Sequence, residues 1–456
     1  MTLCFNLLIG LSLSLLLGCS SQLKLPEARP DGLPAAWQEA KHWPTSALPP
    51  LTTELLALLD SPVLRRQVEQ ALAANLDLRQ TALRLQQQGL LTRQAQAGRV
   101  PELSLNLQSQ RSYQTQQFNH SHTLGLELSW ELDVWGRLAD QQRLAEEEHE
   151  QQRLDYQAAG DSLAAKVMQL WIELSLREQQ MAIEQQWLAS LALTASSSRE
   201  RYRQGLGSQA DWQTAQAQLA RAQAVQAATA QNQAEAWRQL ALWQGKAQSS
   251  PQLTSQALTH DWQLSAPPAL VPAQWLARRV DIQAAYQGIR IRARQAALAE
   301  KALLPGFNLS ASLSQARPDL GELLSGSSAW SVLNRITAPL FNGGRLRRQA
   351  EIADLEVEVS YLRYQHILLT ALHEVENSLS REASLAQQQQ HYQQALQHAE
   401  LSASHYQQRY RQGLVDILDW LSAEQNLYST RLQLLQTQQA RLVNRITLGL
   451  ALGMGV

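Results

Sequence analysis

The chain has 456 residues, enough for two or three domains, and 45% of them are apolar. Lys and Arg number 39 against 40 Asp and Glu, and no basic tract occurs, which argues against a nucleic-acid partner. Trp is frequent (13) and Phe scarce (4), and the long Gln-, Ala-, Leu- and Arg-rich stretches read as long helices rather than a compact α/β enzyme.

The two cysteines, Cys4 and Cys19, both precede residue 20, so the rest of the chain can form neither an internal disulfide nor a Cys-based metal site. Leu3 to Leu17 is an apolar run too short for a convincing spanning helix and suited to a secretory h-region. Leu16-Leu17-Gly18-Cys19 follows, and then Ser20-Ser21-Gln22. This pattern resembles a bacterial lipobox: residues 1–18 form a signal peptide, cleavage falls after the small Gly18, and the Cys19 sulfur carries lipid. Ser20, not Asp, resembles lipoproteins sorted onward to the outer membrane. A leader spans residues 19–60.

Beyond it, one order of elements occurs twice. A helix opens each half, at about Ser61–Gly98 and Pro272–Leu303, with Ser61-Pro62 as N-cap and N1 in the first. Pro101 and Pro305 mark a change of period. Hairpins follow at 101–133 and 305–341. In the first, Leu103, Leu105 and Leu107, then Leu124, Leu126, Leu128, Trp130 and Leu132, alternate with polar residues. In the second the alternating residues are Phe307, Leu309, Ala311 and Leu313, then Trp330, Val332, Asn334, Ile336, Ala338 and Leu340. Strands of ten or so residues suit a tilted bilayer crossing, and Trp130, Trp135, Phe307, Trp330 and Phe341 lie near strand ends as interfacial aromatics do. Alternation alone leaves open whether lipid or protein covers the apolar face.

A Pro-free stretch follows each hairpin, Gly136–Gln204 and Gly344–Gln412, each about 100 Å long if helical. Their apolar seams are narrow. Leu163, Val167, Leu170 and Leu174 step by four, three and four, while Ile352, Val359, His366 and His373 share one seven-residue spacing and Leu355, Leu362 and Leu369 another. Gly205 and Gly413 end these helices, and return helices begin from about Ser208 and Asp416, both good N-caps.

The two halves are a tandem repeat. Arg201-Tyr-Arg-Gln-Gly-Leu206 recurs letter for letter as Arg409-Tyr-Arg-Gln-Gly-Leu414, an offset of 208. Asp211-Trp212 matches Asp419-Trp420 and Gly136-Arg137-Leu138 matches Gly344-Arg345-Leu346 at the same offset; Asp77 matches Asp281 and Pro101 matches Pro305 at 204. The repeats occupy 61–250, with its tip at 204–208, and 272–456, with its tip at 412–416; a Pro-rich linker spans 251–271.

Chemistry-bearing motifs are missing: no phosphate loop follows a strand, and no nucleophile elbow or HExxH zinc motif occurs. No catalytic residue and no resident metal is expected. His120 and His122 read as a solvated loop tip, since two imidazoles without carboxylate or thiol partners make a poor closed site. His366 and His373 read as tolerated interfacial residues.

Ser129-Trp-Glu-Leu-Asp-Val-Trp-Gly-Arg137, Pro339-Leu-Phe-Asn-Gly-Gly-Arg345, the lipobox and the two Tyr-x-x-Gly-Leu tips together resemble the outer-membrane factor (TolC-like) family of tripartite efflux systems, closest to the lipoprotein branch serving resistance-nodulation-division pumps. The resemblance implies a mainly α fold with a membrane β part: a homotrimer whose 12-stranded β-barrel, four strands per chain, continues into a long periplasmic α-helical barrel. It implies a passive exit duct for drugs or other small molecules, set in outer-membrane lipid and working with a periplasmic adaptor and an inner-membrane pump. No cofactor is implied beyond the covalent lipid on Cys19. Carried over by position, Asp211, Asp419 and Tyr410 belong to the periplasmic gate, and Gly205, Leu206, Ser208, Gly413 and Leu414 to the adaptor-contacting tip. Helix-dipole complementation is the plainer role for both aspartates. Where some members carry an arginine, this chain has Val415, so apolar contact from Leu414 and Val415 replaces a salt-bridged lock. Two rival readings are a type I secretion duct for proteins or peptides and a lipid-anchored periplasmic coiled-coil scaffold.

Overall fold

A computed structural model describes residues 54–59, 61–114, 117–247, 273–323 and 327–456. Cys19, the signal peptide and the whole 251–271 linker lie outside the described residues. The elements in chain order are α1 (Pro62–Ala74), α2 (Leu76–Ala97), β1 (Glu102–Gln114), β2 (Gln117–Leu132), α3 (Arg137–Arg203), α4 (Gln209–Trp243), α5 (Val280–Lys301), β3 (Gly306–Arg317), β4 (Ala329–Thr337), α6 (Arg345–Arg411) and α7 (Ile417–Ala451), with short 3₁₀ turns at Leu55–Leu58, Ala273–Arg278 and Leu320–Glu322. None of the described helices is long and apolar enough to cross a membrane. α3 and α6 each have 67 residues, and α4 and α7 each have 35.

The chain divides into two compact units. The first comprises Arg84–Arg153 and Ala284–His366 and holds the sheet, an antiparallel meander ordered β1-β2-β3-β4. Register turns four alternating strands into one two-faced surface. Leu105 pairs with Leu126, Leu126 with Leu313, and Leu313 with Trp330. Leu103, Leu128, Ala311 and Val332 form the adjacent row, and Leu132, Phe307 and Ile336 another. Cross-strand partners share a face, so these rows line one side, interrupted by Asn334 beside Leu309 and Gln315 beside Leu124, while rows such as Glu127–Ser312–Ser331 and Glu131–Asn308–Arg335 fill the other. Ser312 and Ser331 hydrogen-bond at 2.8 Å on that polar face.

The apolar face is uncovered. Leu103, Leu105 and Leu107 are 60–67% exposed, and Trp330, Val332 and Ile336 are similarly open. At one end Trp135 Nε1 donates to the Pro305 carbonyl (2.7 Å) and its ring meets Phe307 at 6.2 Å.

Three expectations need correction here. β4 ends at Thr337, short of Ala338 and Leu340, because Pro339 has no N–H for the ladder. His120 and His122 lie in β2, not in a loop: His120 pairs with Arg111, and His122 Nδ1 meets Ser109 Oγ at 2.8 Å. Among the described residues no cluster of three or more His, Cys, Asp or Glu could hold a metal. The opening helix of the first half breaks at Asn75, whose side chain caps Leu78 N (2.9 Å) and donates to the Trp243 carbonyl (3.0 Å).

That break belongs to the second unit, which comprises Leu154–Gln283, Ile367–Val456 and the described part of Asp31–Leu83. It has a counterpart at Arg279, where Nη1 donates to the Ala451 carbonyl (3.3 Å) and to Glu374 (2.7 Å). Trp243 and Ala451 each end a return helix, so the same joint occurs twice with different chemistry, an amide in one half and a buried guanidinium in the other. Gly245 and Gly453 sit at these joints with φ of +64° and +75°. A Cβ on Gly245 would lie 2.6 Å from the Ala74 carbonyl oxygen. Gly245→Ala is therefore expected to lower stability by about 1–3 kcal/mol through strain and overpacking together, read as a lower thermal midpoint.

The second unit's core is built on the α3 seam: Leu163, Val167, Leu170 and Leu174 are all buried, beside fully enclosed Met168, Trp171 and Ile172. The α6 seam behaves differently. Ile352, Leu355, Val359, Leu362 and Leu369 are 50–62% exposed, and Leu76, Leu83 and Leu90, spaced by seven on α2, are 63–66% exposed.

Candidate functional site: the paired helical tips

The second unit carries both expected tips, and both turns are built alike. α3 closes on Gly205 in the left-handed region (φ +71°), with Leu206 N donating to Arg201 O (2.8 Å) and Gly205 N to Tyr202 O (3.0 Å). Gly413 (φ +74°) repeats this at the end of α6, with Leu414 N on Arg409 O (2.9 Å) and Gly413 N on Tyr410 O (3.0 Å). This double closure is the Schellman motif, and only glycine takes the positive φ without cost. Each turn leaves one large apolar side chain in the open: Leu206 is 66% exposed and Leu414 62%.

The return helices begin differently. Ser208 and Asp211 form a reciprocal capping box: Asp211 N donates to Ser208 Oγ (3.0 Å) and Ser208 N to Asp211 Oδ2 (3.2 Å). Asp211 thus has a local structural task besides its charge. Asp416 is the N-cap of α7 but makes no side-chain capping bond, and Asp419 stands exposed on the first turn.

Tyr410 joins the two tips. Its ring stacks on Trp420 at 5.0 Å, and the Arg201 guanidinium lies over it at 5.4 Å, a cation–π contact from the other half of the chain. Tyr202 and Trp212 form the matching stack at 6.0 Å. Beneath them Leu191 and Ala195 of α3, Ala215 and Ala222 of α4, and Ile417 and Leu421 of α7 make a small core on which Tyr410, Trp187 and Leu219 pack. Tyr410 is therefore brought together with Arg201 and Trp420, while Asp211 and Asp419 occupy corresponding first turns of separate helices.

Sequence reasoning missed a buried polar layer next to this core. Trp187 stacks on Tyr428 at 4.0 Å, Thr229 Oγ1 and Gln180 Nε2 donate to Glu184 (both 2.8 Å), and Ser190 Oγ donates to Glu424 (2.6 Å). A signal was available. Extending the four-three stepping from Leu174 reaches Glu184 and then Leu191, and stepping from Ile417 and Leu421 reaches Glu424 and Tyr428. Burial pushes the Tyr428 hydroxyl up to about 12, helped by the adjacent Glu184 charge. It also raises the Glu424 carboxyl, against the opposing bond from Ser190.

The sign follows by linkage. As pH rises through the ordinary carboxyl value of 4.5, the unfolded chain releases the Glu424 proton before the folded chain does, so this residue's contribution to stability falls. Glu424→Gln is expected to melt above the parent at neutral pH, with the difference vanishing below the ordinary carboxyl range. A pH-independent difference in melting temperature would contradict it.

A sheet with one uncovered apolar face, carried with long polar helices that end in twin turns, is the make-up of an outer-membrane channel subunit. Residues 67–246 and 271–454 match the family model described as outer membrane efflux protein, and the chain belongs to that family. It is an outer-membrane channel component of a tripartite efflux pump. It is 28% identical to the cation efflux system protein CusC of Escherichia coli, over 85% of each chain. It is 29% identical to the solvent efflux pump outer membrane protein SrpC of Pseudomonas putida, over 86% of each. The fold matches that of the Campylobacter jejuni CmeC outer membrane channel with a TM-score of 0.85 over 95% of both chains, at 19% identity.

Proposed function

We propose that three copies of this chain close one twelve-stranded barrel, each supplying four strands, above a shared helical tunnel, and that the assembly is a passive exit duct for drugs or other small molecules. The observation that carries this reading is the sheet: its apolar face is bare, and β1 and β4 are its two edge strands. Edges that stay unpaired in lipid cost several kcal/mol per polar group, and closure with further copies removes them. The apolar band fits a membrane. From Leu132 to Leu124 it covers about 27 Å along β2, or about 21 Å of bilayer thickness at a tilt of about 40°. The exposed seven-spaced seams on α2 and α6 give the copies apolar stripes to bury against one another.

In this reading the chain is two tandem repeats, 61–250 and 272–456, joined by the 251–271 linker, and Cys19 carries the lipid that adds an anchor to the barrel. Three copies each of Asp211 and Asp419 ring the periplasmic mouth and favour cations, and Tyr410, held by Arg201 and Trp420, ties the closed tips together. The adaptor docks on Gly205, Leu206, Ser208, Gly413 and Leu414, where the exposed leucines offer contacts, and biases the helices toward a splayed state. The inner-membrane partner is of the resistance-nodulation-division type. The duct needs no catalytic residue and no cofactor, because the pump supplies the energy. A photo-crosslinker placed at Leu414 in living cells tests the docking: capture of a periplasmic adaptor is expected, and persistent capture of neighbouring copies alone, with pump and adaptor co-expressed, would overturn it.

A further inference from the structure

The apolar face of the sheet does not fade into generic polar residues at its hairpin end. The last leucine pair is Leu107–Leu124, whose row ends in Gln315 on β3. The next row on the same face is Ser109–His122–Arg317, the one after is Arg111–His120, and Tyr113–Phe118 closes the series. Four residues able to carry positive charge therefore follow the leucines directly, on the face away from the polar rows. No Asp or Glu occurs between Leu103 and Leu126 or between Gly306 and Arg317. These side chains are held in place. The Arg111 guanidinium lies 4.4 Å over the Phe118 ring, Phe118 meets Tyr113 at 4.8 Å, and His122 Nδ1 is fixed by Ser109. Arg111 and His120 are exposed, while His122 and Arg317 are half-buried.

We propose that this patch binds the phosphate groups of a phosphorylated lipid in the leaflet around the hairpin end of the barrel. Depth supports the assignment. Rows on one face are roughly 7 Å apart along a strand, and the polar layer on each side of a bilayer is about 5–7 Å thick. The His122–Arg317 row thus stands at headgroup depth, with Arg111 and His120 just beyond. Guanidinium groups match phosphate bidentately, and the aromatic pair suits the same interfacial zone. Charges lining an aqueous lumen would fall on the other face, with Gln108, Gln110 and Ser112. The inference rests on the reading that the leucine face meets lipid.

The test uses the full-length protein, purified in neutral detergent and offered diphosphoryl lipid A or its fully dephosphorylated form, with retained lipid counted by native mass spectrometry. The same spectrum reports the assembly mass, so a misfolded variant is recognised at once. Wild type is expected to retain the phosphorylated form about tenfold better, which corresponds to one charge-assisted hydrogen bond per lipid. The Arg111→Gln/Arg317→Gln variant should lose that preference, and Arg347→Gln, on α6 outside the sheet, should keep it. Equal retention of the two lipids by wild type, or an undiminished preference in the double variant, would overturn the proposal. A parallel Leu126→Cys variant in vesicles separates the two ideas. Labelling of that cysteine by a water-soluble maleimide would defeat the lipid-facing reading itself. Protection of the cysteine without a phosphate preference would defeat this proposal alone.

Discussion

Replacing Leu126 with arginine is expected to abolish the membrane-inserted assembly. Leu126 sits between Leu105 and Leu313 in the central apolar row, with Trp330 completing it. An arginine facing lipid at the midplane of a barrel costs about 2–4 kcal/mol. In the proposed trimer three copies would give about 6–12 kcal/mol per assembly, comparable with the whole stability of an ordinary domain, about 5–15 kcal/mol. The control is Ser312→Arg on the polar face, where Glu127 is its cross-strand neighbour and offers an opposite charge. The measurement is the yield of heat-resistant oligomer in outer-membrane fractions. Near-complete loss for Leu126→Arg and near-normal yield for Ser312→Arg are expected; equal yields would mean that both faces are wet.

Glu382→Ala is expected to be the most damaging single change in the helical unit. Glu382 is completely buried on α6 and accepts from Arg441 Nε (2.8 Å) and Arg445 Nη2 (3.0 Å), with Asn444 Nδ2 at 3.4 Å. Burial already lowers the affinity of Arg445 for its proton, and the Glu382 charge opposes that loss. Without Glu382 the Arg445 guanidinium, 8% exposed, stays buried and uncompensated. Breaking such a pair costs about 3–5 kcal/mol. Glu382→Gln keeps an acceptor oxygen and should fall between parent and Ala. A second substitution, Arg445→Met, should recover part of the lost midpoint in the Ala background, because the stranded charge then disappears. If Arg445→Met adds further destabilisation there, the pair is not the source of the effect.

Much of the fold was legible because its rules are local. Ser61 does cap α1, accepting from Leu64 N at 3.3 Å, with Pro62 at the first turn. Alternation located the strands, and glycine located both tip turns. What was not legible depends on partners distant in sequence. The break at Asn75 exists because its amide reaches the Trp243 carbonyl, 168 residues away. The seams on α3 and α6 look alike as strings, yet one is buried and the other open, since a period cannot say which neighbour arrives. At the tips, the paired glycines and aspartates were visible through the repeat. The Arg201–Tyr410 contact was not, because it joins two copies of one motif across the chain. The carboxylates Glu184 and Glu424 were passed over as charges on polar helices, although their phase along the seam points inward.

Single-channel recording of the purified assembly in a planar bilayer tests the central claim most directly, using wild type and an Asp211→Asn/Asp419→Asn variant. Asparagine keeps the oxygen that caps Ser208 N and removes only the charge, so the start of α4 is preserved. Rare, cation-selective openings are expected from wild type, with weakened cation selectivity in the variant. Inserted assemblies that pass no current in either form would contradict the reading of this chain as an exit duct.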